Sequence, residues 1–145
     1  MTSSKINYFS ENINYSLSEE KKISEWLYLI AKSENFSISE LNYIFCDDKF
    51  LYSLNTEYLN HDTLTDVISF NYSEGMGQII GDIYISIERV FENAKTYNKT
   101  NENELFRVMV HGLLHLFGYS DYSKTEKSVM TKKEDYYLSL LENKK

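Results

Sequence analysis

Apolar positions change rhythm several times along this chain, and each change predicts an element. Ile6 to Phe9 alternate weakly, as a first strand would. Ser18-Glu19-Glu20 carries the N-cap and acidic first-turn signature of a helix, with Ile23, Trp26, Leu27, Ile30 and Ala31 recurring at helical spacing behind it. Leu41 to Cys46 reads as a strand, after which Asp47 or Asp48 caps a short helix through Phe50, Leu51, Leu54 and Tyr58. Thr65 to Phe70 is β-branched and aromatic, and a glycine-bearing loop from Ser73 to Gln78 joins it to Gly81–Ser86 as a hairpin. Ser86 caps a helix running to about Asn98, Glu102–Phe117 forms another, and Glu126–Leu141 a final amphipathic one. The Glu102–Phe117 helix is apolar almost all round, as a central helix should be. The expected product is an α+β fold, a single domain over residues 1–145. Its small mixed four-stranded sheet packs against about five helices, with the apolar helix at the centre.

Composition narrows the setting. With 145 residues, 42% of them hydrophobic, the chain has apolar surface enough for one core without covalent staples. Cys46 is the lone cysteine, so no intrachain disulfide forms, and its apolar neighbours predict a buried, inert thiol. No apolar run approaches the ~20 residues that span a bilayer, and the first residues lack the apolar core of a secretory signal, so a cytoplasmic protein with no membrane partner is expected. A net charge of −7 argues against nonspecific electrostatic binding to nucleic acid, and no DNA partner is expected. The arginines are Arg89 and Arg107.

Candidate chemistry concentrates in His111-Gly112-Leu113-Leu114-His115-Leu116-Phe117-Gly118-Tyr119-Ser120-Asp121. Imidazoles four residues apart on a helix share one face, a glycine then allows a left-handed turn, and a carboxylate follows three residues on. Such a spacing suits a divalent metal held by His111, His115 and Asp121 with a fourth position open. A bare pair of histidines would equally suit a hydrogen-bonded polar seam; the glycine and carboxylate tip the reading to metal. The remaining histidine, His61, sits in a polar loop and is not taken as a ligand. Gly112 stands where zinc peptidases place a glutamate base, which argues against peptide hydrolysis. A glycine inside a helix costs about 1 kcal/mol relative to alanine, so Gly112 is expected to let another backbone or a substrate approach the metal.

The same stretch, followed by Glu126 and Met130, resembles the signature of the YbeY family, H-G-x-L-H-L-x-G-Y-D-H with a downstream glutamate. Upstream, Leu54-Asn55 with Tyr58, then Asp62 to Phe70, resembles that family's L-N-x-x-(Y/W)-R-x-x-D-x-P-T-(D/N)-V-L-S-F block, and Gly81-Asp82-Ile83 its G-D-(I/L/V) strand. The resemblance implies a zinc-dependent endoribonuclease acting on single-stranded or pre-ribosomal RNA. Its place would be maturation of the 3′ terminus of small-subunit rRNA and ribosome quality control, with the small ribosomal subunit as partner. It also implies one Zn2+ held by His111 and His115, with Asp121 at the position of the family's third histidine; this donor set also suits Fe, Ni or Mn. A water activated on that metal would be the nucleophile, no carboxylate inside the motif being placed as base. Asp66 and Asp82 fall where the family's strand edges face the cleft, with turn hydrogen bonding the plainer role for each. Glu126 and Glu134 are expected to be surface or outer supporting groups, with Glu126 the candidate for contact with a ligand histidine. Leu59 replaces a family arginine and Leu64 a proline, which leaves phosphate-binding charge to Lys49 or to the Arg89/Lys95/Lys99 segment. Leu59 and the net acidity support an alternative, a non-catalytic ribosome-assembly factor with a structural zinc.

Overall fold

The structure, a computed structural model, describes residues 5–59, 65–73, 75 and 77–142. Its elements run β1 (Lys5–Glu11), α1 (Glu20–Ser33), β2 (Ser37–Cys46), α2 (Asp48–Leu59), β3 (Val67–Asn71), β4 (Gln78–Ser86), α3 (Ile87–Thr96), α4 (Asn101–Phe117) and α5 (Lys124–Glu142). The sheet order is β1-β2-β4-β3, with β1, β2 and β4 parallel and β3 antiparallel to β4. This is the α+β arrangement the patterning predicts, including the β3–β4 hairpin. Asp47 caps α2 by accepting from the Phe50 amide at 2.8 Å, and Ser86 caps α3 by accepting from Arg89 at 3.1 Å. The expected Ser18 cap of α1 does not form: Glu19 occupies the cap position in a left-handed conformation, with no side-chain bond to the first turn. Burial of Ile23, Trp26, Leu27, Ile30 and Ala31 holds that helix instead.

The two faces of the sheet differ. Tyr8, Tyr43 and Ile83 align in register on one face and enter the main core with Trp26, Met109 and Leu113. One residue along, Asn7, Asn42 and Asp82 align on the other face, linked by hydrogen bonds of 2.9 Å from Asn7 to Asn42 and from Asn42 to Asp82. The period of two in a strand therefore carries Asp82 away from α4, so its expected place at the cleft is overturned. α2 closes part of that second face over Cys46, Leu51 and Ile68. Burial pushes the Cys46 thiol up to about 12, which keeps it protonated and inert.

α4 is the central helix, packed on β3, β4, α3 and α5. Side chains from the sheet fix its register: the Tyr43 hydroxyl donates to the Met109 carbonyl at 2.9 Å and the Ser69 hydroxyl to the Gly112 carbonyl at 3.1 Å. Gly112 has the packing reason its cost demands, but a different one from that expected. A Cβ there would lie 2.8 Å from Ile83 Cγ2 and 3.2 Å from Ser69 Oγ, so the glycine lets the helix seat on sheet side chains rather than admitting a backbone or substrate. His61 and Leu64 lie outside the described residues, as does the side chain of Leu59.

Candidate metal centre

α4 carries His111 and His115 on the side turned from the sheet, their rings perpendicular with centroids 4.6 Å apart. The helix ends at Gly118, whose φ of 110° is open to glycine and strained for other residues. Here the Tyr119 amide donates to the Leu114 carbonyl at 3.1 Å and the Gly118 amide to the His115 carbonyl at 3.0 Å, closing the last turn. The reversal lays the Tyr119 carbonyl against His115 Nδ1 at 2.9 Å. Beyond it, Glu126 gathers the loop: its carboxylate accepts from the Ser120 hydroxyl at 2.5 Å and from the Tyr122 and Ser123 amides at 3.0 and 2.9 Å. The Glu126 amide returns a bond of 3.0 Å to the Ser123 hydroxyl, completing a capping box at the start of α5. Asp121 is thereby turned back over α4.

Three atoms converge. His111 Nε2 and His115 Nε2 lie 3.0 Å apart, and Asp121 Oδ2 stands 3.3 and 3.5 Å from them. A tetrahedral cation with bonds of about 2.0–2.1 Å spaces its ligand atoms roughly 3.3–3.4 Å apart, so the triangle is the size of one tetrahedral face. The tautomers agree. His115 Nδ1 meets a carbonyl, which only accepts, and His111 Nδ1 meets the Glu134 carboxylate at 2.6 Å, so each Nδ1 holds the proton. In the neutral rings both Nε2 lone pairs then face each other beside a carboxylate oxygen, an arrangement that repels unless a cation is shared. The donor set therefore fits a divalent metal.

Behind His111, Glu134 is almost fully buried and also accepts from Arg107 at 3.0 Å, while Arg107 reaches Asp135 at 2.6 Å. Burial works against a charged His111 ring, but the Glu134 hydrogen bond and the Glu134, Asp121 and Asp66 charges outweigh it and raise its pKa. A cavity of about 160 Å³ opens beside this ring, lined by Asp66, Glu104, Arg107, Val108, His111 and Glu134. Burial raises the Asp66 carboxyl against the favourable pull of His111, and burial followed by the Asp66 charge raises Glu104.

The sequence-predicted trio is thus assembled, and Asp66 lines the cavity beside one of its members, His111. Glu126 does not touch a ligand histidine; it shapes the loop that presents Asp121. Glu134 is the supporting group of the pair. Its signal was present in the sequence, since it shares the buried stripe of α5 with Met130, Tyr137, Leu138 and Leu141. Arg89 is engaged by Asp48 at 2.9 Å. Among the described residues no helix is long and apolar enough to cross a membrane.

Residues 5–142 match the family model described as Endoribonuclease YbeY. A protein of Flavobacterium psychrophilum named Endoribonuclease YbeY is 52% identical over 132 residues, 91% of this chain and 94% of its own. One from Cytophaga hutchinsonii with the same name is 50% identical over 133 residues, 92% and 93% of the two chains. The solution structure of the Thermotoga maritima protein TM1509 superposes with a TM-score of 0.64 at 28% identity, covering 97% of this chain and 91% of that one. The chain belongs to the YbeY family.

Proposed function

We propose that this YbeY-family chain is a metal-dependent endoribonuclease that cleaves single-stranded RNA, and that its substrate is pre-ribosomal RNA near the 3′ terminus of the small-subunit species. The observation that carries this reading is the triangle of His111 Nε2, His115 Nε2 and Asp121 Oδ2, whose edges and tautomers suit one divalent cation. Two imidazoles and a carboxylate favour Zn2+ and also accommodate Fe, Ni or Mn. Such a cation, when bound, supplies Lewis acidity toward a phosphoryl oxygen and an activated water. The residues of the chain do the rest. Glu134 and the Tyr119 carbonyl hold both Nδ1 protons, so that the Nε2 atoms stay available. Arg107 is occupied by Glu134 and Asp135 and therefore orients the site rather than gripping phosphate. In this reading Asp66, which lines the cavity beside His111, takes a proton from an attacking oxygen.

Elemental analysis should find one metal per chain in the wild type and none in His115→Ala. The wild type should cut single-stranded RNA, and His111→Ala should not. Equal cleavage by the two proteins sinks the nuclease reading. A second reading, a ribosome-assembly factor with a structural zinc, draws on the net charge of −7 and on both arginines being ion-paired. Co-sedimentation with the small subunit that survives loss of the ligands, together with absent cleavage, would favour it.

A further inference from the structure

The two histidines are oriented by unlike partners. Glu134, which holds His111, sits on a helix and is fixed by Arg107. The group holding His115 is a main-chain carbonyl just past a helix end, where chain position is less constrained. Something must fix it, and the remaining contacts of Tyr119 identify what does. Its hydroxyl donates to Glu34 Oε1 at 2.6 Å, and its ring lies 5.3 Å beneath Lys133 Nζ. Glu34 follows the last turn of α1, with its side chain only 8% exposed. Its other oxygen accepts from Lys133 at 2.9 Å and from the Tyr137 hydroxyl, both on α5. Beside it, Phe36 stacks on Phe117 with centroids 4.6 Å apart, joining the end of α1 to the end of α4.

We propose that Glu34 is a positioning residue for the metal cage: by gripping the Tyr119 hydroxyl it fixes the Tyr119 carbonyl, and so holds His115 in the tautomer that leaves Nε2 bare. Tyr119 is clamped at two points, its amide on Leu114 and its hydroxyl on Glu34, which together fix the Cα that bears the carbonyl. Whatever it adds to stability, a buried carboxylate with donors on both oxygens fixes the orientation of the groups that bind it. The inference rests on the reading that the cage holds a cation, and the test below separates the two.

The full chain is compared as wild type, Tyr119→Phe, Glu34→Gln and Tyr137→Phe. Histidine 15N resonances of the metal-free proteins report the tautomer of His115 at a pH where the ring is neutral. Visible absorption of added Co2+ reports affinity, and Tm is followed in parallel. Tyr119→Phe should shift His115 toward the Nε2–H tautomer and weaken Co2+ binding by about tenfold, the low end for loss of an outer partner. Glu34→Gln, which keeps an acceptor but not the charge, should fall between it and the wild type. Tyr137→Phe removes a neighbouring hydroxyl from the same carboxylate and should lower Tm with the tautomer and affinity nearly unchanged. An unaltered tautomer in Tyr119→Phe overturns the proposal, as do affinities that merely follow Tm across the variants. Should the wild type take up no Co2+, the cation reading fails, and the tautomer comparison still decides the role of Glu34.

Discussion

The cage has a helix-borne half and a loop-borne half, and they are built by different physics. His111 and His115 take their places from core packing. α4 is wedged between the sheet and α5, its register set by Tyr43, Ser69 and the Gly112 contact with Ile83. Asp121 takes its place mainly from polar bonds: the turn at Gly118, the capping box of Glu126 and Ser123, and the clamp on Tyr119, whose ring also packs against the core. The first half moves only if the core moves. The second can be loosened without touching the core, which makes Asp121 the member of the trio whose position is most open to adjustment.

Substituting Gly112 by alanine breaks the comparison from the helix side, and it should have the largest effect. The added methyl meets the branched Cγ2 of Ile83 at 2.8 Å, an atom that cannot swing away. Overpacking of this kind costs about 1–3 kcal/mol, and the gain in helix propensity offsets at most ~1 kcal/mol of it. With the full propensity gain subtracted, a net loss of up to about 2 kcal/mol in denaturant unfolding is expected, with both imidazoles displaced together and metal binding weakened. Increased stability with undiminished metal binding would show that α4 seats less tightly than these contacts require.

Glu126→Ala attacks the other half alone. It releases the Ser120 hydroxyl and the Tyr122 and Ser123 amides, so the loop gains freedom and Asp121 must be ordered at each binding event. Metal affinity should fall clearly while Tm falls little; equal proportional losses would mean that the two halves are not separable. The same division explains what was legible in the sequence. His111, His115 and the Gly118 turn announce themselves through spacing, because a helix period and a left-handed glycine are local facts. Glu134 could be found as an acid on an apolar stripe, and Asp82 could be excluded by counting strand periods from Ile83. Glu34 had no such signal. Its partners Tyr119, Lys133 and Tyr137 stand 85, 99 and 103 residues away, and only the tertiary fold brings them to it. Ser18 misled because a cap-like sequence formed where no side-chain cap was needed.

The smallest effect expected is on pH dependence, and it separates the halves by sign. At the loop side, burial of Glu34 is outweighed by its bonds from Tyr119, Tyr137 and Lys133, so its folded pKa lies below the ordinary 4.5. A depressed acid contributes stability that is present above 4.5 and lost as pH falls through the lower folded value. At the helix side, burial and the Asp66 charge hold Glu104 above its ordinary 4.5. That carboxyl disfavours the fold at neutral pH, and the penalty is relieved as pH falls through its raised folded value. In the metal-free protein, Glu104→Gln should therefore flatten the stability curve on the weakly acid side, just above 4.5. Glu34→Gln should flatten it on the strongly acid side, below 4.5, where the wild type falls more steeply. Urea unfolding of the three proteins across pH 3 to 7 (roughly the span over which carboxyls titrate) resolves the two limbs. If both substitutions flattened the same limb, the carboxylate at the loop would be no better satisfied than the one at the cavity, and the contrast between a clamped and a merely enclosed acid would be gone.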